Sequence, residues 1–156
     1  RLLNNLGGLN FQLGKPERAV EDLKSAYRVL LEKGSDVEAA NVVSSLAHVH
    51  LATGQVQAAE EEARHALQLL SDREDFLLEI ASTQLVLGRA LMEQDRLDDA
   101  QDMLRTAEGN AEQIESISHR AAAWMAQGDL AARRGEDATA ARLYRQAAEA
   151  LQDVRF

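Results

Sequence analysis

The sequence predicts an all-α fold: a solenoid of four helix hairpins, about eight antiparallel helices, in a single domain spanning residues 1–156. Three observations predict it. Small residues recur in three columns: Gly7, Ala47, Gly88 and Gly128; Ala19, Ala59, Ala100 and Ala140; Ala26, Ala66, Ala107 and Ala147. Each column is spaced 40, 41 and 40 residues apart. A common period of that length marks a stacked supersecondary unit. Only one proline occurs in 156 residues, so long helices can run uninterrupted. Hydrophobic residues make up 46 % of the chain and aromatics 4 %. Such a core must come from Leu, Ala, Val and Ile, which suits helix on helix better than a β-sandwich.

The repeat units fall at about 1–34, 36–73, 74–114 and 116–153, with helices near 2–13, 16–33, 36–53, 56–70, 74–94, 97–113, 116–134 and 137–153. Within each unit a turn separates the two helices: Gly14-Lys15-Pro16, Gly54-Gln55, Asp95-Arg96 and Gly135-Glu136. Glycine there supplies a left-handed helix stop, and Pro16 fits the first position of the next helix, where a missing N–H costs nothing. Ala19, Val20, Leu23, Ala26, Tyr27, Leu30 and Leu31 form one apolar stripe at helical spacing. Ser35 with Glu38, and Ser71 with Glu74, read as capping boxes. The small columns predict close approach of helix axes, a Gly or Ala of the first helix meeting the Ala19-type residue of the second. Gly7 costs about 1 kcal/mol of helix propensity relative to Ala, which close packing offsets. The start at Arg1, with Leu2, Leu3 and Leu6 already on an apolar face, is expected of a piece of a longer protein.

Charge and composition exclude several functions. Acidic residues outnumber basic ones 26 to 17, a net charge of −9, which on average repels a phosphate backbone; no direct nucleic-acid contact is expected of this segment. The absence of cysteine rules out disulfide and thiol chemistry and fits a reducing cytoplasm. No apolar run of membrane-spanning length appears, and no signal peptide. His48 and His50 are two apart and point to different sides of a helix, so they cannot share a metal. His50 reads as a packed histidine, His65 and His119 as surface residues, and Glu60-Glu61-Glu62 and Asp98-Asp99 as solvated faces. No H-E-x-x-H, phosphate-loop or G-x-S-x-G pattern occurs. Neither an enzyme nor a cofactor is expected.

The columns resemble the tetratricopeptide repeat, W-x-x-L-G-x-x-Y, then Gly, then A-x-x-x-F-x-x-A. The fourth unit carries Trp124, Gly128, Gly135, Ala140, Tyr144 and Ala147; the third Leu87-Gly88, Leu91, Ala100, Leu104 and Ala107; the second Leu46-Ala47, Gly54, Ala59, Ala63 and Ala66; the first Leu6-Gly7, Gly14, Ala19, Leu23 and Ala26. Asn10 and His50 depart from the family's Tyr, Gln127 from its Leu and Asp95 from its turn glycine. The period also exceeds the usual 34 residues, as in the long repeats of kinesin light chains and bacterial regulators. The resemblance implies a right-handed superhelix whose first helices line a concave groove holding a protein or peptide. It places Asn4, Asn5, Gly8, Phe11 and Gln12 there from the first unit, and Asn41, Ser44, Ser45, His48 and Leu51 from the second. The third supplies Ser82, Leu85, Val86, Arg89 and Met92, and the fourth Ala122, Met125, Ala126, Asp129 and Arg133. Asn side chains donate and accept, so Asn4 or Asn5 suits a peptide backbone, and Met92 and Met125 suit an irregular apolar partner. The positions that hold a chaperone's carboxylate tail in some relatives lack the required cations here, which disfavours that role.

Stretches such as "LVLGRALMEQDRLDDA" also resemble the C-terminal repeats of actinobacterial XRE-type helix-turn-helix transcription regulators. That resemblance implies a sensory or regulatory part of a cytoplasmic bacterial regulator, with the DNA-binding helices upstream. A stand-alone scaffold for complex assembly is the alternative. An exposed end of the solenoid, bearing Leu2, Leu3 and Leu6, offers a route to a homodimer.

Overall fold

The computed structural model describes residues 14–71 and 73–153. The expected helix at 2–13, with Gly7, Gly8 and the groove positions Asn4, Asn5 and Phe11, lies outside them. The described residues fold into seven α-helices: α1 (Pro16–Glu32), α2 (Asp36–Ala52), α3 (Val56–Leu69), α4 (Leu77–Glu93), α5 (Leu97–Gln113), α6 (Ile117–Arg133) and α7 (Asp137–Gln152). These bounds match the expected ones to within a residue or two, with one exception. α4 begins at Leu77, after a 3-10 turn at Glu74–Phe76, and not at 74. The chain leaves α3 by way of the Arg73 N–H on the Leu70 carbonyl (3.1 Å), so Ser71 lies in the turn and caps no helix.

The other expected capping box is also absent. Ser35 occupies the cap position of α2 but its side chain bonds nothing there; the first turn closes through the Ala39 N–H on the Ser35 carbonyl (2.9 Å). The serine that does cap is Ser116, whose hydroxyl accepts from the His119 N–H. Because His stands three residues on, in place of Glu or Gln, the capping-box pattern misses it.

Five helix ends share one device. The N–H groups of Ser35, Gln55, Arg96, Ser116 and Glu136 reach back to the carbonyls of Leu30, His50, Leu91, Ala111 and Ala131 at 2.8–3.0 Å, the six-to-one bond of a Schellman stop. The residue before each adopts positive φ. Gly54 does so at 82° and Gly135 at 76°, whereas Asp95 (59°) and Glu115 (56°) do so without being glycine. Asp is among the few side chains that visit this region at a cost of about 1–2 kcal/mol, which is how the third turn dispenses with the expected glycine.

The described residues up to Arg73 form one compact unit and those from Glu74 another. The division falls between the second and third repeats of the sequence. In the first unit α2 packs against α1 and α3, around Ala19, Leu23, Ala26, Leu30, Ala39, Val42, Leu46 and Val49. Leu31, expected on this stripe, is 46 % exposed, because it lies a full helical step past Leu30. In the second unit the hairpins α4–α5 and α6–α7 are joined through α5–α6 and α4–α6 contacts. Leu87, Leu91 and Leu104 are fully buried there. Trp124 packs with Ala121 and Ala147, donates its indole N–H to Glu108 and carries the Arg120 guanidinium 5.0 Å above its ring.

The close approaches occur, with a different partner from the one expected. A Cβ added at Gly88 would lie 2.5 Å from Leu104 Cδ2, and one at Gly128 2.6 Å from Tyr144 Cε1. Ala100, the expected partner of Gly88, offers only its carbonyl oxygen, at 3.7 Å. The glycine thus meets the residue one turn after the alanine. The same columns read Gly7 with Leu23, Ala47 with Ala63, Gly88 with Leu104 and Gly128 with Tyr144. Where a bulky residue stands in the second helix the first supplies glycine, and where the first keeps alanine (Ala47) the second carries the small Ala63, so two bulky side chains never share this column pair.

Candidate functional site

On α4 and α6 the 40-residue period aligns a face of alternating charge. Leu85, Arg89 and Glu93 lie four residues apart on α4, and Met125, Asp129 and Arg133 occupy the same columns of α6. Arg89 Nη1 donates to Asp129 Oδ2 at 3.0 Å, and Arg133 Nη2 to Glu93 Oε1 at 2.6 Å. Arg133 Nη1 also reaches the Met92 carbonyl (3.3 Å). The Tyr144 hydroxyl donates to Asp129 Oδ1 at 2.5 Å, a bond that holds the phenol's pKa above its ordinary value. Each pair is partly exposed, so each contributes about 0.5 kcal/mol to stability. Their larger effect is to fix two opposite pairs of charge across two neighbouring helices. Beside them Leu85 is half-buried and Met125 is 45 % exposed.

Met92 does not belong to this face. It is 1 % exposed, since it follows Leu91 on the core side of α4, while the column it was expected to share is occupied by Glu93. Val86 and Ala126 are likewise buried. The signal for Glu93 was present, because it stands one period before Arg133. Ser82 and Ala122 are half-buried.

On α2 of the first unit, Asn41, Ser44 and Leu51 are half-buried and His48 is exposed. Ser45 donates its hydroxyl to the Asn41 carbonyl (3.0 Å) and is committed to its own helix. Crowding by the surrounding protein pushes the His48 pKa below the ordinary imidazole value. One side of the ring stays open to water.

His50 is 7 % exposed, as a packed histidine should be. It does not lie among apolar groups alone: Nδ1 is 2.7 Å from Glu62 Oε2. Burial raises the Glu62 pKa, and the His50 hydrogen bond and the charges of His50 and Lys24 oppose that rise. Glu62 is therefore not part of a solvated face, since it turns inward to this pair; Glu60 beside it accepts from Arg64 Nε at 2.9 Å. His65 is exposed and hydrogen-bonded to the Tyr27 hydroxyl (2.9 Å). Among the described residues no three His, Cys, Asp or Glu side chains are placed to hold a metal ion, and no helix is long and apolar enough to cross a membrane.

The geometry defines a repeat protein: helix hairpins with shared columns, close approaches at fixed positions and a row of solvent-facing side chains on the first helices of the second unit. Tetratricopeptide-repeat profiles match residues 85–154 and 1–29. The chain belongs to the tetratricopeptide-repeat family. Its fold is that of TPR-type α-solenoids, as three solved structures show. BtubC (BKLC) from P. vanneervenii superposes with a TM-score of 0.81 at 18 % identity, over 99 % of this chain and 65 % of its own. A Rap protein complexed with Competence and Sporulation Factor gives 0.88 at 19 %, over 97 % and 42 %. The TPR-like repeats of a Podosopora anserina kinesin light chain give 0.57 at 18 %, over 96 % and 93 %. The chain thus spans less than two thirds of the BtubC and Rap chains, and at these identities the likeness is one of fold. No curated protein matches the sequence.

Proposed function

We propose that this chain is a non-enzymatic module that binds a protein or peptide on the exposed face of its first helices. The observation that carries this reading is the α4–α6 face. Leu85 and Met125 offer apolar contact there beside Arg89, Asp129, Glu93 and Arg133, whose mutual pairing leaves a patterned but nearly neutral surface. Such a surface suits a partner with an apolar anchor and polar flanks. Asn41, Ser44, His48 and Leu51 on α2 extend the same kind of face within the first unit, and Asn4, Asn5 and Phe11 are its counterparts by repeat position. The test is capture of partners by the purified chain, compared with a Leu85→Glu/Met125→Glu variant of unchanged helicity and melting. Loss of capture supports the face; undiminished capture removes it.

Within this reading we assign the chain to the sensory part of a cytoplasmic bacterial helix-turn-helix regulator, on the strength of the sequence resemblance. A Rap protein that shares the fold was solved complexed with Competence and Sporulation Factor, which gives the assignment a structural parallel. The net charge of −9 speaks against this segment itself touching DNA. The full reading frame tests the assignment: a helix-turn-helix upstream supports it, and its absence leaves the scaffold alternative. A homodimer formed through an end of the repeats is tested by sedimentation, where a monomer at high concentration argues against it.

A further inference from the structure

The two units contain the same cleft, built at positions 81 residues apart, as Ala19 is from Ala100. In the second unit it lies between α5, the end of α6 and the start of α7, and holds about 110 Å³. A cation of the protein itself occupies it. Arg134 donates from Nη1 to Gln101 Oε1 (2.9 Å) and from Nη2 to Asp98 Oδ1 (2.6 Å), and its side chain is only 24 % exposed. In the first unit the cleft lies between α1, the end of α2 and the start of α3, and holds about 300 Å³.

The difference has a residue-level cause. Thr53 stands where Arg134 stands. Its hydroxyl donates back to the carbonyls of Val49 (3.0 Å) and His50 (3.2 Å), so the side chain folds onto its own helix and leaves the space open. The acceptor remains: Glu17 takes the place of Asp98, lines the cleft and has no ion-pair partner among the described residues. Val20 replaces Gln101 and, with Val49, gives the wall an apolar stretch for an aliphatic stem. Gln55 adds an amide oxygen at the rim. Lys24 does not forbid a cation, because Arg105 holds the same position beside Arg134 in the filled cleft. His50, held by Glu62, forms a firm back wall.

We propose that the first-unit cleft is a receptor for a guanidinium group, an arginine side chain presented by a partner polypeptide. The guest repeats what Arg134 does in the second unit. Its stem lies along Val20 and Val49, and its planar fork donates to the Glu17 carboxylate and the Gln55 amide oxygen, a geometry that guanidinium matches and ammonium does not. The net charge of −9 draws a cationic partner. None of these residues belongs to the Asn41–Ser44–His48 column, so this site stands or falls separately from the α4–α6 face.

The test is an amide-shift titration of the full chain with the blocked tripeptide Ala-Arg-Ala. Parallel arms use its citrulline analogue, which keeps the shape and loses the charge, and free L-arginine. Shifts centred on Val20, Val49, Thr53 and Gln55 are expected, half-maximal at about 1 mM, the range of a weak contact of small area. Citrulline should bind at least about tenfold more weakly, since the charge-assisted bonds are lost. Glu17→Gln should weaken the peptide by a similar factor. Thr53→Arg refills the cleft from within, so it should abolish binding without lowering the melting temperature. Equal binding of citrulline, undiminished binding by Glu17→Gln, or no shifts at these residues overturns the proposal. Free arginine binding about tenfold tighter than the peptide overturns the partner polypeptide in favour of a small molecule.

Discussion

Helices α1–α3 of the first unit occupy the same repeat positions as α5–α7 of the second, yet equivalent positions are resolved in opposite ways. The second unit fills its space with its own side chains. Tyr144 packs over Gly128, Arg134 bridges Asp98 and Gln101, and Ala131 and Leu143 line the cleft that Arg134 occupies. In the first unit Ala63 stands where Tyr144 does and Ala47 where Gly128 does, Thr53 replaces Arg134, and His50 with Glu62 replaces the pair Ala131 and Leu143. Equivalent backbone therefore carries a closed arrangement in one unit and an open, polar one in the other. At the close approach the period demands a small residue on the first helix and leaves the size of its partner free.

The largest expected effect breaks that complementarity. Leu104→Ala should destabilise the second unit by about 3 kcal/mol, as for other fully buried leucines. Gly88→Ala should cost about 1–2 kcal/mol, because the added Cβ overpacks Leu104 by more than the helix propensity returns. The double variant restores the alanine pair of the second hairpin. Its cost in urea unfolding should fall short of the sum by about 1 kcal/mol or more. Strict additivity would show that bulk is not shared between the columns.

Gly128→Ala should be milder, about 1 kcal/mol or less, because its obstacle is Tyr144. That ring is 37 % exposed and can swing outward, giving up its bond to Asp129. A loss as large as at Gly88 would mean the tyrosine is as confined as the leucine. The Arg89–Asp129 pair should show a coupling of about 0.5 kcal/mol in a double-mutant cycle, shrinking as salt rises. A salt-independent coupling would point to a role for the ladder beyond surface charge.

The smallest effect separates the units by pH. The native-state pKa of His48 is depressed from 6.5, so the native protein binds this proton less readily than the unfolded chain. The associated stability is fully present above 6.5 and declines as pH falls through that value toward the native-state one. Melting temperatures measured between pH 7 and 5 should therefore fall slightly more for the parent than for His48→Gln. Identical slopes would show that the ring is as well hydrated as in the unfolded chain.

Much of this was legible in the residues. Small residues at a 40-residue spacing, turn glycines and Pro16 identified the hairpins, because backbone geometry tolerates few alternatives at a close approach or a left-handed turn. Asp95 was legible as a turn only through the period, since the position demands a conformation and not a residue type. The columns also brought Arg89 and Asp129 together, and the pairing of Glu93 with Arg133 was implicit in the same spacing. Met92 was misplaced because a helix turns 100° per residue, so an error of one position moves a side chain from the surface to the core.

The sequence by itself determined the all-α class, the number of helices from residue 14 onward and their bounds except the start of α4, and the family. Those follow from local conformation and periodic burial, which neighbouring residues dictate. Only the tertiary structure decided that Gly88 meets Leu104 and not Ala100, that His50 is held by Glu62, and that one cleft is filled by Arg134 while its counterpart is left open by Thr53. Each depends on where side chains from different helices end in space, and rotamers and hydrogen bonds fix that only after the helices have packed.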